Sequence, residues 1–277
     1  MNMTAHTSEL NIASIQMVST PSLNENLEVA ARLTKAAADN GAQLAVLPEY
    51  FCLMGLKDTD KVNAREAAGS GPIQERLAAI AKQNNIYLVA GTIPLEAKES
   101  NKVLNSSLVF DSHGSQISRY DKIHLFGFQT ETERYEESET IAAGTQPGQF
   151  TIKVDEVDWR FGLSICYDLR FPELYRSLGQ VDCHILPAAF TYTTGKDHWE
   201  ILLRARAIEN QCYVLASAQG GIHLNQRRTW GESMLIDPWG EILSKLQEGD
   251  GFIQGTLSKD KLKEVRSKLP ALKHRKL

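Results

Sequence analysis

Three residues of types that can do covalent chemistry together each stand at the end of an apolar, strand-like run: Glu49 after LAVLP, Lys122 after ISRYD and Cys166 after FGLSI. A thiol attacks well only once deprotonated, and a nearby base or cation activates it. A carboxylate beside Cys166 could take that proton, and partial burial would lift the carboxyl pKa toward neutrality, as a base working near pH 7 requires. A lysine can hold the negative charge of a tetrahedral intermediate together with a backbone N–H. The N–H of Tyr167, next after the thiol, is the natural second donor. Such a trio cleaves an amide or a nitrile through a thioester. Taken singly, each residue also has a plainer role: the thiol as inert core, the glutamate as a turn residue, the lysine as a solvated charge. Spacing alone does not choose between the two.

The elements that must position the trio are legible from periodicity. Leu10–Met17 reads as a strand, and Ser22-Leu-Asn-Glu25 forms a capping box ahead of a helix carrying Leu27, Ala30, Ala31, Thr34 and Ala38 on one face, with Gly41 closing it. Leu44–Leu47 is a short buried strand stopped by Pro48, residues 55–71 are loop-like, and Pro72 opens a second helix. Ile86–Ile93 reads as one strand, and Leu104–Phe110 with Ser115–Tyr120 flanks a hairpin turn at Asp-Ser-His-Gly. A polar, glutamate-rich loop covers about 124–148. Strands follow at Phe150–Val154, Arg160–Ile165, Cys183–Leu186, Tyr213–Ala218, Ser233–Ile236, Ile242–Leu246 and Phe252–Gly255, with helices from Pro172, over Lys196–Gln211 and over Lys259–Leu269. In sheets covered by helices, strand ends gather at one edge, so distant residues can meet there.

The contexts LAVLPEYF, YDKIHLF and GLSICYDLRFPELYR resemble, in order, the three motifs of the nitrilase superfamily of carbon–nitrogen hydrolases. The flanks LVAGTI, LNSSLVFDSHG, LPAAFTYTTGKDHWEILLRARAIENQCYV and SMLIDPWG are similar to it too, so that the likeness runs from about Leu10 to Leu257. The resemblance implies a four-layer α-β-β-α sandwich, a Glu49–Lys122–Cys166 triad, and a second glutamate that orients the lysine and the substrate amide. Glu137 fits that place, with Glu136 its nearest rival. It further implies no metal or organic cofactor and a homodimer paired through outer helices, here the one after Pro172 and the one over Lys196–Gln211. Within the superfamily, CYDLRFPEL looks most like the branch that cleaves deaminated glutathione to 2-oxoglutarate and cysteinylglycine. The omega-amidases acting on 2-oxoglutaramate are the close competitor. Glu232 departs from that branch, which often carries His there.

Arg170, four residues past the thiol, is a candidate clamp for a substrate carboxylate, since a guanidinium binds one through two parallel hydrogen bonds. An ion pair with Asp168 or Glu173 is the equal alternative. Thr191, Tyr192 and Thr194 could supply hydroxyl contacts or merely form a polar turn.

Composition bounds the rest. The 277 residues are 42% apolar and 23% charged, read as one domain over 1–277 with its core at about 10–257 and a C-terminal helix and tail at 258–277. A net charge of −4 argues against nucleic acid or an anionic membrane as partner. The polar N-terminus has no signal-like apolar stretch, and no apolar run approaches a membrane span, so a cytoplasmic enzyme is expected. Four scattered cysteines form neither a disulfide framework nor a CxxC pair, and seven scattered histidines give zinc little support. A non-catalytic binding subunit on the same fold is the contrasting class, and the intact trio argues against it.

Overall fold

The computed structural model describes residues 8–131 and 134–276. The chain opens with β1 (Glu9–Gln16), α1 (Leu23–Asp39) and β2 (Leu44–Val46). Next come α2 (Asp60–Asn63), α3 (Pro72–Gln83), β3 (Tyr87–Val89), β4 (Ile93–Glu96), β5 (Val103–Phe110) and β6 (Gln116–Asp121). Then β7 (Gly127–Gln129), β8 (Arg134–Glu136), a 3-10 turn over Glu137–Glu139 and β9 (Ile141–Ala142) lead to β10 (Gly148–Val154) and β11 (Val157–Leu163). A second 3-10 turn over Cys166–Arg170 is followed by α4 (Pro172–Ser177), β12 (Cys183–Ala188), α5 (Tyr192–Asn210) and β13 (Tyr213–Ala218). The series closes with β14 (Ser233–Ile236), β15 (Ile242–Leu246), β16 (Gly251–Ser258) and α6 (Lys259–Lys268).

Two sheets form. The first runs β16-β1-β2-β3-β5-β4, with β6 and β9 also on β5; the second runs β10-β11-β12-β13-β14-β15. Alternation along β1 explains the layering. Leu10 and Ile12 join Phe161, Leu215 and Ile236 in one core, whereas Ala13 and Ile15 join Leu33 of α1 and Leu77 and Ile80 of α3 in another. Each such leucine or isoleucine, fully buried, contributes about 1.5–3 kcal/mol. Helix α5 packs on β13 and β14. The result is the expected α-β-β-α sandwich. The sheets are also stitched by buried hydroxyls, Ser14 Oγ donating to Ala216 O at 2.8 Å and Ser217 Oγ to Val46 O at 3.1 Å.

The structure departs from the sequence reading at four elements. The single strand expected over 86–93 is two, because Gly91 breaks it at φ +49; a Cβ there would sit 2.0 Å from the Pro48 carbonyl oxygen. That close approach lets β3 stay on β2 while β4 crosses to the far side of β5, and it packs the chain against the peptide preceding Glu49. The capping box at Ser22 is half formed. Ser22 Oγ accepts from Glu25 N, but the Glu25 carboxylate accepts from Thr20 Oγ1 at 2.9 Å instead of returning to Ser22. Residues read as loop hold α2, β7, β8 and β9. Finally, α5 starts at Tyr192, not Lys196, because its first turn is held from outside: Tyr192 N donates to Arg228 O and Thr191 bridges Thr229.

Among the described residues no helix is long and apolar enough to cross a membrane, and no three His, Cys, Asp or Glu side chains are grouped to hold a metal.

Candidate active site

Glu49 follows β2, Cys166 follows β11, Ala189 follows β12 and Gln219 follows β13. Strands β1, β2 and β3 are mutually parallel, as are β11, β12 and β13. A parallel bridge between Met17 and Gln219 sets the two groups side by side. The carboxyl ends of strands from both sheets therefore meet, and Gln219 Nε2 ties them by donating to the Glu49 carbonyl at 3.1 Å. Lys122 arrives from the first sheet at the end of β6, its N–H donating to Asn105 O.

Lys122 is wholly buried, and its ammonium bridges two carboxylates: Glu49 Oε1 at 2.9 Å and Glu137 Oε2 at 2.8 Å. Burial alone would lower its pKa; Glu137 and Glu49 outweigh that and push it up, so it stays charged. The rest of the Glu49 carboxylate is filled by Asn105 Nδ2 at 2.9 Å and the Ala189 N–H at 2.8 Å. Glu137 also accepts from Tyr50 OH at 2.8 Å and from the Phe126 N–H at 2.7 Å. Burial works against its ionisation, but Lys122 with those donors holds the carboxyl below its usual range. The rival Glu136 lies on the exposed side of the same turn.

Cys166 is buried at 8% exposure, with a left-handed φ of +47. For a non-glycine residue that conformation costs roughly 1–2 kcal/mol. Asp168 holds it in place. Its Oδ2 accepts from the Ile165 N–H and from Tyr120 OH, both at 2.8 Å, and its Oδ1 pairs with His124 Nδ1 at 2.7 Å. One fully buried carboxylate thus couples the turn carrying Cys166 to the segment carrying Lys122. Burial first, and then the Glu49 carboxylate, pushes the Cys166 thiol well up, with Lys122 opposing. That environment favours the neutral thiol, so its attack calls for a base to take the proton. The first hydrogen bond of the 3-10 turn runs from Asp168 N to Ile165 O, so Tyr167 N–H precedes the bonded part of the turn.

Cys166, Glu137, Tyr167, Thr191, Thr194 and Arg227 are among the residues lining one narrow pocket. Glu49 and Lys122 stand one layer behind, reaching it through Ala189 and Glu137. The Thr191 and Thr194 hydroxyls are 2.8 Å apart. Tyr192 is not in this wall: its ring meets Trp230 and the Arg228 guanidinium, because the helix it begins turns it outward. Arg170 stands at the rim, its guanidinium over the Tyr167 and Phe190 rings at 5.8 and 5.3 Å and one Nη 3.2 Å from His198 Nδ1. The alternative ion pair with Asp168 or Glu173 does not form; Asp168 is occupied as described. Glu232 pairs with Lys245 at 3.2 Å. Cys183 lies in β12, outside this pocket wall.

Sequence reasoning did not single out Asn105, Tyr50, Asp168 or Arg227. The signal for Asp168 was present, as an acid three residues after a strand end, where it can bond back to the Ile165 N–H. Replacing Asp168 with asparagine is expected to lower kcat about a hundredfold, as a misplaced reacting group does, and to slow alkylation of Cys166 by iodoacetamide. Full kcat with only a lowered Tm would confine Asp168 to holding the fold.

Residues 11–267 match the family model described as carbon-nitrogen hydrolase. A deaminated glutathione amidase from Synechocystis sp. is 41% identical over 267 residues, covering 95% of this chain and 97% of that one. Omega-amidase NIT2 from Xenopus tropicalis is 34% identical, covering 97% and 95%. The crystal structure of Saccharomyces cerevisiae Nit3, a member of branch 10 of the nitrilase superfamily, matches with a TM-score of 0.83 at 30% identity over 97% of each chain.

Proposed function

The chain belongs to the carbon–nitrogen hydrolase family, and we propose that it is a cysteine-dependent amidase whose substrate is deaminated glutathione. The observation that supports this most is the Glu49–Lys122–Glu137 bridge placed against the pocket that holds Cys166. In this reading Glu49 takes the thiol proton as Sγ attacks the amide carbon. Lys122 Nζ and the Tyr167 N–H hold the oxyanion. The proton passes to the leaving nitrogen as the C–N bond breaks, giving a thioester, and Glu49 then deprotonates the water that releases the acid. Glu137 keeps Lys122 charged and aimed. No metal or organic cofactor takes part in this scheme. The relative named omega-amidase favours 2-oxoglutaramate as the second candidate. A coupled assay of 2-oxoglutarate release should give a higher kcat/KM for deaminated glutathione than for 2-oxoglutaramate, and no turnover of simple nitriles. Nitrile turnover without amide turnover would overturn the proposal.

Arg170 is the clamp for the acyl-side carboxylate in this reading, and Thr191 and Thr194 flank the acyl chain. Arg170→Lys should reduce kcat/KM about tenfold or more for the acidic amide, the scale of a charge-assisted hydrogen bond. Its acyl-side methyl ester should lose little. Equal losses on both would remove Arg170 from substrate binding.

The molecule works as a cytoplasmic homodimer paired through α4 and α5, where Ile201 and Ile208 stand exposed on α5. Sedimentation at micromolar concentration tests this, and a monomer contradicts it.

A further inference from the structure

Helix α5 carries a charge where its pattern calls for an apolar side chain. Trp199, Leu203 and Ala207 form the stripe that faces the core, and Arg206 is buried beside them at 5% exposure. A guanidinium is almost never buried unless paired, and its burial is costly unless its donors are satisfied. Here the turn that carries the thiol satisfies them. Nε and Nη2 both donate to the carbonyl of Leu169, at 3.0 and 2.8 Å, and Nη1 pairs with Glu209 at 2.6 Å. Leu169 is fully buried, so its carbonyl needs a donor from within the protein.

The same guanidinium reaches the other end of the turn. It lies 5.3 Å over the Tyr175 ring of α4, which His184 of β12 meets edge-on. Tyr175 OH donates to Ser164 Oγ at 3.0 Å, and Ser164 Oγ donates to Ile185 O at 3.0 Å. Ser164 precedes Cys166 and Leu169 follows it, so the thiol stands between the two held points. From the first sheet Asp168 holds the turn through Tyr120 and His124; from the second sheet Arg206 holds it. A left-handed φ such as that of Cys166 persists only where its surroundings over-determine it, and these two holds supply that. The carbonyl that Arg206 grips belongs to the peptide between Leu169 and Arg170, so the grip also fixes where Arg170 leaves the turn.

Resting on the amidase reading above, we infer that Arg206 is a positioning residue: its grip on the Leu169 carbonyl holds Cys166 in the conformation that presents its sulfur to the pocket, and fixes Arg170 relative to that sulfur. Arg206 touches neither the substrate nor the reacting atoms; it acts through the backbone of the turn. Lysine cannot take its place. An ammonium on a flexible stem does not supply two N–H groups to Leu169 O, a third to Glu209 and a planar face to Tyr175 at once. Methionine fills the space of the stem and leaves Leu169 O without those donors. Loss of the grip therefore disturbs the thiol and the acid clamp together.

Arg206→Met and Arg206→Lys in the full chain test this, with kcat measured well below the Tm of each variant. For the acidic amide, kcat should fall about a hundredfold in Arg206→Met, the cost of a reacting group displaced by about 1 Å, and by a smaller factor in Arg206→Lys. The preference for the acidic amide over its acyl-side methyl ester should shrink in both, through KM, because Arg170 moves with the turn. Iodoacetamide should alkylate Cys166 more slowly than in wild type, while the buried Cys52, Cys183 and Cys212 stay protected. A role confined to stability predicts the reverse: a lower Tm, faster alkylation of every cysteine, and unchanged kcat and acid preference in the folded protein. That pattern overturns the inference. Asp168→Asn combined with Arg206→Met should cost less in kcat than the product of the two single losses, because both side chains hold one turn; a full product overturns the shared hold. If neither Arg206 variant folds, Tyr175→Phe replaces them, keeping the ring and dropping the bond to Ser164. Its kcat should be about fivefold lower, the scale of one hydrogen bond, and a wild-type kcat there overturns the inference. Should wild type hydrolyse no amide, the amidase reading falls, and the alkylation rates still decide the role of Arg206.

Discussion

Cys166→Ala is expected to abolish turnover of every amide while leaving the fold intact. The sulfur is the only atom in the pocket wall able to form the thioester, and no residue in that wall replaces it: the other cysteines are buried elsewhere. The fold should tolerate the change because alanine removes one sulfur at the edge of a cavity, without unpairing any hydrogen bond of Asp168. The left-handed φ at this position is as strained for alanine as for cysteine, so backbone energy does not change sign. Mass spectrometry of wild type quenched during turnover should find the acyl adduct on Cys166. An adduct on Cys52, Cys183 or Cys212, or substantial residual activity in the variant, assigns the nucleophile elsewhere.

Lys122→Ala should be the second large loss, and it should show in stability as well as rate. On the rate, removing an oxyanion donor costs about 3–4 kcal/mol, or 10²–10³-fold. On stability, the variant leaves Glu49 and Glu137 buried without their shared cation, and breaking such a network costs about 3–5 kcal/mol. The sign of the pH dependence follows. In wild type the Glu137 carboxyl is held below its ordinary value, so it adds stability above the unfolded pKa that is lost as pH falls through the folded one. Without Lys122 the two carboxylates repel and burial dominates, so at least one pKa rises above its unfolded value. That group then favours folding at low pH and loses its contribution as pH rises through the raised pKa. Tm of Lys122→Ala should therefore increase from about pH 8 to about pH 5, the window a raised carboxyl opens, while wild type shows no such gain. Near-normal kcat, or a Tm that falls in parallel with wild type on acidification, contradicts the bridge. Glu49→Gln, which keeps shape and loses the base, should fail in both acylation and deacylation, so that no thioester accumulates.

Much of this site was legible in the chain because its chemistry is attached to local pattern. An apolar run that must be a buried strand fixes where its last residue goes, so LAVLP, ISRYD and FGLSI placed Glu49, Lys122 and Cys166 at strand ends before any tertiary contact was known. The family motifs around them carried the layer order of the sandwich with the same certainty. Tertiary structure decided which partner each buried charge received, because desolvation makes that choice and only the folded chain defines what is desolvated. Lys122 meets Glu49 across 73 residues and Ala189 meets Glu49 across 140. Glu137 prevails over Glu136 because Tyr50 OH, 87 residues away, and the Phe126 N–H point at it. Asp168 reads as a partner for Arg170 until Tyr120 and His124 close on it, and Thr191 and Tyr192 read as hydroxyl contacts or a polar turn until Thr229 and Arg228 pin them as the start of a helix. Lys61 and Arg227 are 166 positions apart, with no motif joining them. Only the packing of loops around Tyr50 brings the two cations to one cavity, where Asp58, Glu136 and Glu137 join them.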